Sequence, residues 1–144
     1  MISISLVTLG VHDLARATRF YEALGWRRSS ASTPEVTFFH GATAVLALWG
    51  AADLARDAGL GLSEAPSPSG SVSLAVNLAD EAAVDALLDT AGRAGGRVTK
   101  PARATDWGGY SGSFADPDGH LWEVAHNPFF TLAPDGHITL PDGP

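Results

Sequence analysis

Apolar residues recur along this chain with two periods, at alternate positions in some segments and at every third or fourth position in others. Alternation over residues 2–10 predicts a strand. A helix is predicted next, because Asp13 can cap its first turn and Gly25 suits its end. Its apolar side contains Leu14, Ala17, Tyr21 and Leu24. Strands are then predicted over 26–31, 35–40 and 43–49.

The second half of the chain repeats this order of elements. A strand is predicted over 71–78, followed by a helix that begins after Asp80 and ends at Gly95-Gly96. Three more strands are predicted over 97–100, 110–115 and 120–126. Each half is therefore a strand–helix–strand–strand–strand unit. The repeat lies in the pattern of elements rather than in identical residues.

The length of 144 residues fits a single domain built from these two units. We divide it into a module over 1–58, a linker over 59–70, a second module over 71–126 and a C-terminal strap over 127–144. The linker is rich in Gly, Ser and Pro, and a short helix is predicted over 51–58 before it. The strap has a turn between short apolar runs, which predicts a small hairpin that could reach a partner subunit.

The composition excludes several kinds of protein. There is no cysteine, which excludes disulfides, thiolate metal sites and cysteine nucleophiles. The net charge is −7, and the nine basic residues form no stripe interleaved with aromatic residues, so nucleic acid is not an expected partner. The chain has no apolar run of about 18 residues and no signal-peptide pattern at its start. We therefore expect a cytoplasmic protein with no membrane partner.

Residues 116–124, Asp-Pro-Asp-Gly-His-Leu-Trp-Glu-Val, are the most informative stretch of the sequence. A tight turn leads into a strand in which Glu123 stands among apolar residues. We expect this strand to be half-buried, where a carboxylate is costly unless a metal ion, a ligand or a cation pairs with it. Hydrogen bonds from the backbone or from Ser73 are the structural alternative. Strand alternation places Trp122 on the opposite face from Glu123, towards the helices.

Two segments resemble the vicinal oxygen chelate superfamily, the group of glyoxalases, bleomycin-resistance proteins and extradiol dioxygenases. They are Asp13-Leu14 with Phe20-Tyr21-Glu22-Ala23-Leu24-Gly25-Trp26, and Phe114 to Glu123. The chain is most similar to an uncharacterised glyoxalase-like branch with Trp107-Gly108-Gly109-Tyr110-Ser111-Gly112 and Asn127-Pro128-Phe129-Phe130. The resemblance implies an α+β fold in which two βαβββ modules form curved mixed sheets around a shared cleft, with helices on the outer faces. It also implies a homodimer.

Metal-using members of this superfamily have four ligands on strands that face the cleft, two from each module. The resemblance places these four positions at Leu6, Ala47, Ser73 and Glu123. One carboxylate, one hydroxyl and two aliphatic groups make a poor metal site. We therefore expect no cofactor. The alternative is a divalent metal held with help from one or more of the histidines, which are His12, His40, His120, His126 and His137.

The sequence thus favours a metal-independent protein that binds a small organic molecule, as the drug-binding resistance proteins of this superfamily do. We expect Glu123 to pair with a planar or cationic ligand in a pocket with aromatic walls. The other expected lining residues are Trp49, Trp107, Tyr110, Phe38, His40, Ser73, Ala47 and Leu6, any of which could instead be ordinary core. Two alternatives stay open. One is a metal-dependent glyoxalase-like lyase or dioxygenase that uses Glu123, and the other is a ligand-free dimeric interaction module.

Overall fold

A computed structural model describes residues 2–61 and 71–142. Residues 62–70 of the predicted linker lie outside the described residues. The elements of module 1 are β1 (Leu6–Val11), α1 (Leu14–Ala23), β2 (Val36–Phe39), β3 (Val45–Gly50) and α2 (Ala51–Asp57). Those that follow are β4 (Ser73–Asn77), α3 (Glu81–Arg93), β5 (Arg97–Ala104), β6 (Tyr110–Ala115), β7 (Leu121–His126), β8 (Thr131–Leu132) and β9 (Ile138–Thr139). None of the helices in the described ranges has the length and apolar character needed to cross a membrane.

The two long helices begin and end where their capping residues predict. The side chain of Asp13 accepts a hydrogen bond from the backbone N–H of Arg16 at 3.0 Å, and that of Asp80 from Ala83 at 2.8 Å. After α1, Gly25 has a φ of 104°, a conformation that strains residues with a Cβ atom. The caps fix where each helix starts, and therefore which of its side chains face the core.

The strands form two main sheets and one hairpin. Sheet 1 has the order β1-β3-β2, sheet 2 has the order β4-β7-β6-β5, and β8 pairs with β9. In each main sheet the first strand of the module pairs in parallel with the last, and the remaining pairs are antiparallel. The mixed α+β architecture with two sheets is confirmed.

Sheet 1 has one strand fewer than the sequence predicts. Residues 26–31 contribute only an isolated bridge, between Arg28 and Phe39. The hydroxyl of Ser32 accepts a hydrogen bond from the backbone N–H of Phe38 at 2.9 Å, and the hydroxyl of Thr33 accepts from Val36 at 3.2 Å. Such side-chain bonds compete with a strand ladder for backbone groups. The segment therefore makes one bridge to β2 and then turns, and the prediction of a fourth strand here is wrong.

Helix α1 lies between the two sheets and joins the modules into one core. The ring of Phe20 contacts Phe114 of β6, with 6.0 Å between centroids. The ring of Tyr21 contacts Phe39 of β2 at 6.1 Å and Trp122 of β7 at 5.9 Å. Phe20 and Tyr21 are at most 2% exposed. The resemblance implied helices on the outer faces, but α1 lies inside because its aromatic side chains pack against both sheets.

Each sheet has a second face that points away from α1, here called its outer face. On sheet 1, Leu46 and Leu48 pack into the core, so Ala47 between them lies on the outer face. On sheet 2, Trp122 and Val124 pack into the core, so Glu123 lies on the outer face, as alternation predicts. Because a common helix layer separates the sheets, their outer faces do not meet across a cleft within one chain.

Candidate functional site

The nine predicted site residues fall into three groups. The first group shares the outer face of sheet 1 and contains Leu6, Phe38, Ala47 and Trp49. The second shares the outer face of sheet 2 and contains Ser73 and Glu123. The third group contains Tyr110, His40 and Trp107. These three were expected beside Glu123, but they lie on neither outer face. The structure therefore does not bring the predicted residues together in one pocket of a single chain.

The outer face of sheet 1 is apolar. Ala47 in β3 stands opposite Thr8 in β1 and Phe38 in β2, and it is 1% exposed. Leu6 and Trp49 continue the same face towards the two ends of the strands. Leu6 is 47% exposed. Aliphatic and aromatic groups of this kind provide contact area for a ligand or a partner surface, but no metal donor.

The carboxylate of Glu123 stands over small neighbours on the outer face of sheet 2. Its partners across the strands are Ala75 in β4 and Ser113 in β6. Glu123 is exposed and has no hydrogen-bond or ion-pair partner among the described residues, so the expectation of a half-buried carboxylate is wrong. The hydroxyl of Ser73 donates to the carbonyl of Leu74 at 3.4 Å, so it does not support Glu123. The carboxylate is therefore available to a group from outside the chain.

The three remaining predicted residues have other surroundings. Tyr110 packs against the core on the side of α3, and its hydroxyl donates to Asp85 Oδ1 at 2.7 Å. That hydrogen bond raises the pKa of Tyr110. His40 follows the end of β2 and lines a cavity behind the sheet, and Trp107 lies in the turn before β6 with its ring over Gly109. Within a single chain these three residues do not lie beside Glu123: Tyr110 is on the other face of sheet 2, His40 follows β2 of sheet 1, and Trp107 lies in a turn.

The four positions that the resemblance assigns to metal ligands do not fit a metal ion here. Leu6 and Ala47 have no donor atoms, and sheet 2 supplies only the Ser73 hydroxyl and the Glu123 carboxylate. Within residues 2–61 and 71–142, no three His, Asp or Glu side chains are arranged so that they could hold a metal ion. Histidines that could have rebuilt the site are used elsewhere: His120 Nε2 donates to the Gly10 carbonyl at 2.8 Å, and His126 Nδ1 to that of Leu78 at 3.1 Å.

The turn over 116–119 holds a buried polar network that the sequence did not predict. Asp116 is 4% exposed and accepts hydrogen bonds from the Tyr21 hydroxyl at 2.6 Å and from the backbone N–H groups of Asp118 and His120. Trp122 Nε1 donates to the Tyr21 hydroxyl at 3.0 Å. Burial, together with the negative charge of Asp116, raises the pKa of Tyr21 far above its usual value. Asp and Gly residues predict a turn, but they give no sign that one carboxylate turns inward.

Two sizeable cavities open on the described part of the chain, and Glu123 lines neither of them. One, of about 640 Å³, lies beside Trp26, Trp122 and His40. The other, of about 760 Å³, lies between β1, α2 and the beginning of β4, with Asp118 and His120 among its lining residues. Both volumes are in the range of small-molecule sites, which is about 300–1,000 Å³.

Comparisons with known proteins agree with this architecture. The family model described as "Glyoxalase/Bleomycin resistance protein/Dioxygenase superfamily" matches residues 3–124. A crystal structure of a glyoxalase-related enzyme from Fulvimarina pelagi is 37% identical, covers 99% of this chain and 100% of its own, and has a TM-score of 0.89. A glyoxalase/bleomycin resistance protein/dioxygenase from Nocardioides is 29% identical over 88% of this chain and 83% of its own, with a TM-score of 0.70.

A lactoylglutathione lyase from Agrobacterium tumefaciens is 23% identical over 87% of this chain and 93% of its own, with a TM-score of 0.65, and shares the fold. A comparison with curated proteins found no match. The family match spans both modules, and the Fulvimarina pelagi structure aligns over nearly the whole chain. The chain therefore belongs to the glyoxalase/bleomycin resistance protein/dioxygenase superfamily.

Proposed function

We propose that this protein binds small organic molecules without a catalytic metal, on the outer face that carries Glu123. The donor set at the four family positions carries this proposal, because it contains one carboxylate, one hydroxyl and two aliphatic side chains. A carboxylate without a partner among the described residues can instead bind a cationic or hydrogen-bond-donating group of a ligand. The expected ligand is planar or cationic.

A second copy of the chain would complete this site. The apolar outer face of sheet 1 leaves Leu6 47% exposed in a single chain, and Ile4 just before it is 69% exposed. Contiguous exposed apolar surface is typical of an interface. A partner that laid this face over Glu123 would give the carboxylate an aromatic wall from Phe38 and Trp49. Phe129 of the strap, which is 68% exposed, is a further contact for a partner subunit.

Binding of a planar cation tests the role of Glu123. We expect 9-aminoacridine, which is cationic at neutral pH, to bind more tightly than neutral acridine in fluorescence titrations. Glu123→Gln should weaken binding of the cation about tenfold, which corresponds to about 1.4 kcal/mol, and should leave acridine unchanged. Glu22→Gln is the matched control, because Glu22 is an exposed carboxylate on α1, away from either outer face. If each dye bound Glu123→Gln as tightly as it binds the wild type, Glu123 would not be part of the site.

Metal content and oligomeric state are measured on the same sample. Plasma mass spectrometry on protein purified without chelators or a histidine tag, before and after incubation with Zn, Ni, Mn and Fe(II), should find no stoichiometric ion. About one tightly held ion per chain would contradict the metal-independent proposal. Light scattering should give twice the chain mass of 14.9 kDa. A monomer at micromolar concentration would remove the second copy from the site.

A further inference from the structure

We propose a second binding site in the cavity between β1, α2 and the start of β4, here called the β1–α2 pocket, for an apolar organic molecule with one protonated amine. This site is independent of Glu123 and of the proposed function. It lies where the edge strand of sheet 1 approaches the edge strand of sheet 2. Its lining combines a long apolar wall with a short polar end. The wall selects the apolar body of the ligand, and the polar end selects its amine.

The apolar wall comes from both modules. Its main side chains are Val7, Leu9, Leu54, Ala55, Leu74 and Leu121. Helix α2 presents three alanines to the pocket and Ala58 follows them, so little side-chain volume fills the space between α2 and the edge of β1. At Gly10, α2 is close to β1, since a Cβ atom there would be 3.2 Å from Ala51 Cα. The cavity of about 760 Å³ can therefore hold an aliphatic or aromatic body of ordinary small-molecule size.

The polar end contains a carboxylate oxygen that lacks a partner. The side chain of Asp118 is 2% exposed. Its Oδ1 accepts from the backbone N–H of His12 at 2.9 Å and from Arg16 at 3.4 Å. Its Oδ2 is buried and has no hydrogen-bond partner among the described residues. A buried carboxylate oxygen without a donor is costly. A donor from a bound molecule would remove that cost.

The charges around this oxygen favour an ammonium group over other donors. Asp116 and Asp118 lie on the same turn, Asp13 caps the facing helix, and Arg16 is the one cation paired with them in the described chain. His120 Nε2 donates to the carbonyl of Gly10, because a carbonyl can only accept, so this N–H is already used. An ammonium would donate to Asp118 Oδ2 while its apolar body lies along the wall. A carboxylate at the same place would be repelled.

Three probes with the same ring system test this preference. We would titrate the protein with 1-naphthylmethylamine, 1-naphthalenemethanol and 1-naphthoate by isothermal calorimetry. The amine should bind at least about tenfold more tightly than the alcohol, since a charge-assisted hydrogen bond is roughly twice as strong as a neutral one. The carboxylate should bind most weakly. Asp118→Asn keeps an oxygen that can accept from His12, and it should remove the preference for the amine. Asp57→Asn removes a charge from the exposed side of α2 and should leave the preference intact.

A second variant pair tests the location without touching Asp118. Ala58→Trp places a large side chain at the exposed end of α2 where Ala58 lines the pocket, and it should weaken all three probes. Ala86→Trp makes the same change at an exposed position of α3 outside the pocket, and it should weaken none. Both variants are checked for a native circular dichroism spectrum and melting temperature before titration.

The outcomes separate this site from the Glu123 face. Three results together support the β1–α2 pocket: Asp118→Asn loses the amine preference, Ala58→Trp loses binding, and Glu123→Gln changes neither. This conclusion does not depend on the acridine titrations. An amine preference that survives Asp118→Asn overturns the proposal. The proposal is also overturned if Glu123→Gln is the variant that removes the amine preference, because the amine then binds at the outer face of sheet 2. No binding of any probe to the wild type also overturns it.

Discussion

Removing the hydroxyl of Tyr21 should destabilise the protein far more than removing the hydroxyl of Tyr110. Both tyrosines donate to an aspartate, Tyr21 to Asp116 at 2.6 Å and Tyr110 to Asp85 at 2.7 Å. The difference lies in the surroundings, because Tyr21 and Asp116 are buried between the sheets and the second pair is at the surface. Tyr→Phe at each position changes one oxygen atom and keeps the aromatic ring.

The cost at Tyr21 has two parts. The hydrogen bond to the Asp116 carboxylate contributes about 1.5–3 kcal/mol, as for other hydrogen bonds to charged groups. The same change leaves the Nε1–H of Trp122, which is 4% exposed, without an acceptor, at about 1–3 kcal/mol. Asp116 keeps its two backbone donors on Oδ1, but its buried Oδ2 loses its donor, which adds to the cost. We expect a net loss of about 3 kcal/mol in the free energy of unfolding, a large part of the roughly 5–15 kcal/mol of a typical domain.

Urea denaturation followed by tryptophan fluorescence measures this loss. Tyr21→Phe should have a lower midpoint with an unchanged slope, which assigns the effect to stability rather than to a change in compactness. Tyr110→Phe should unfold within error of the wild type, because the exposed Asp85 carboxylate accepts from water in place of the lost hydroxyl. Equal losses for the two variants, or a midpoint for Tyr21→Phe equal to that of the wild type, would refute the buried-network argument.

Two further predictions concern pH and backbone packing. Folding raises the pKa of Tyr21, so the stability that this residue contributes is complete below its unfolded-state pKa of about 10. Above that pH the contribution is lost by up to about 1.4 kcal/mol per pH unit. Urea midpoints between about pH 8 and 11 should therefore fall less steeply in Tyr21→Phe than in the wild type, and parallel declines would contradict this. Gly112→Ala should cost about 1–3 kcal/mol by thermal denaturation, because its Cβ would lie 2.6 Å from Leu88 Cδ1 and 2.8 Å from the carbonyl oxygen of Lys100. Gly92→Ala, where the nearest atom is 3.9 Å away, is the control and should not lower the melting temperature.

The sequence predicted the elements well wherever local chemistry decides them. The caps Asp13 and Asp80 start their helices because a short side chain satisfies the first free N–H groups, which depends on neighbours three residues away. Alternation likewise assigned Trp122 to the core and Glu123 to the other face. The strand predicted over 26–31 failed for a local reason too, since the Ser and Thr hydroxyls that follow take backbone partners from the ladder.

The candidate site was harder to predict because it depends on contacts between distant parts of the chain. A period-two pattern says that Ala47 and Glu123 face away from the core residues of their strands, but not that α1 separates the two sheets. That placement follows from Phe20 and Tyr21 packing against both sheets, and helical spacing predicts an apolar side without naming its partners. The Asp-Pro-Asp-Gly pattern predicts the turn that contains Asp118. Nothing in the sequence showed that its carboxylate is buried.

The position of α1 also determines the order in which this protein can fold while it is being synthesised. The Tyr21 hydroxyl accepts a hydrogen bond from Trp122, and the two residues are 101 positions apart. When module 1 leaves the ribosome, α1 can pack on sheet 1, but the sides of Phe20 and Tyr21 that belong against sheet 2 remain exposed to water. A nascent chain that ends before β6 and β7 is thus an incomplete core with a bare aromatic surface, the kind of surface that makes incomplete chains prone to aggregate.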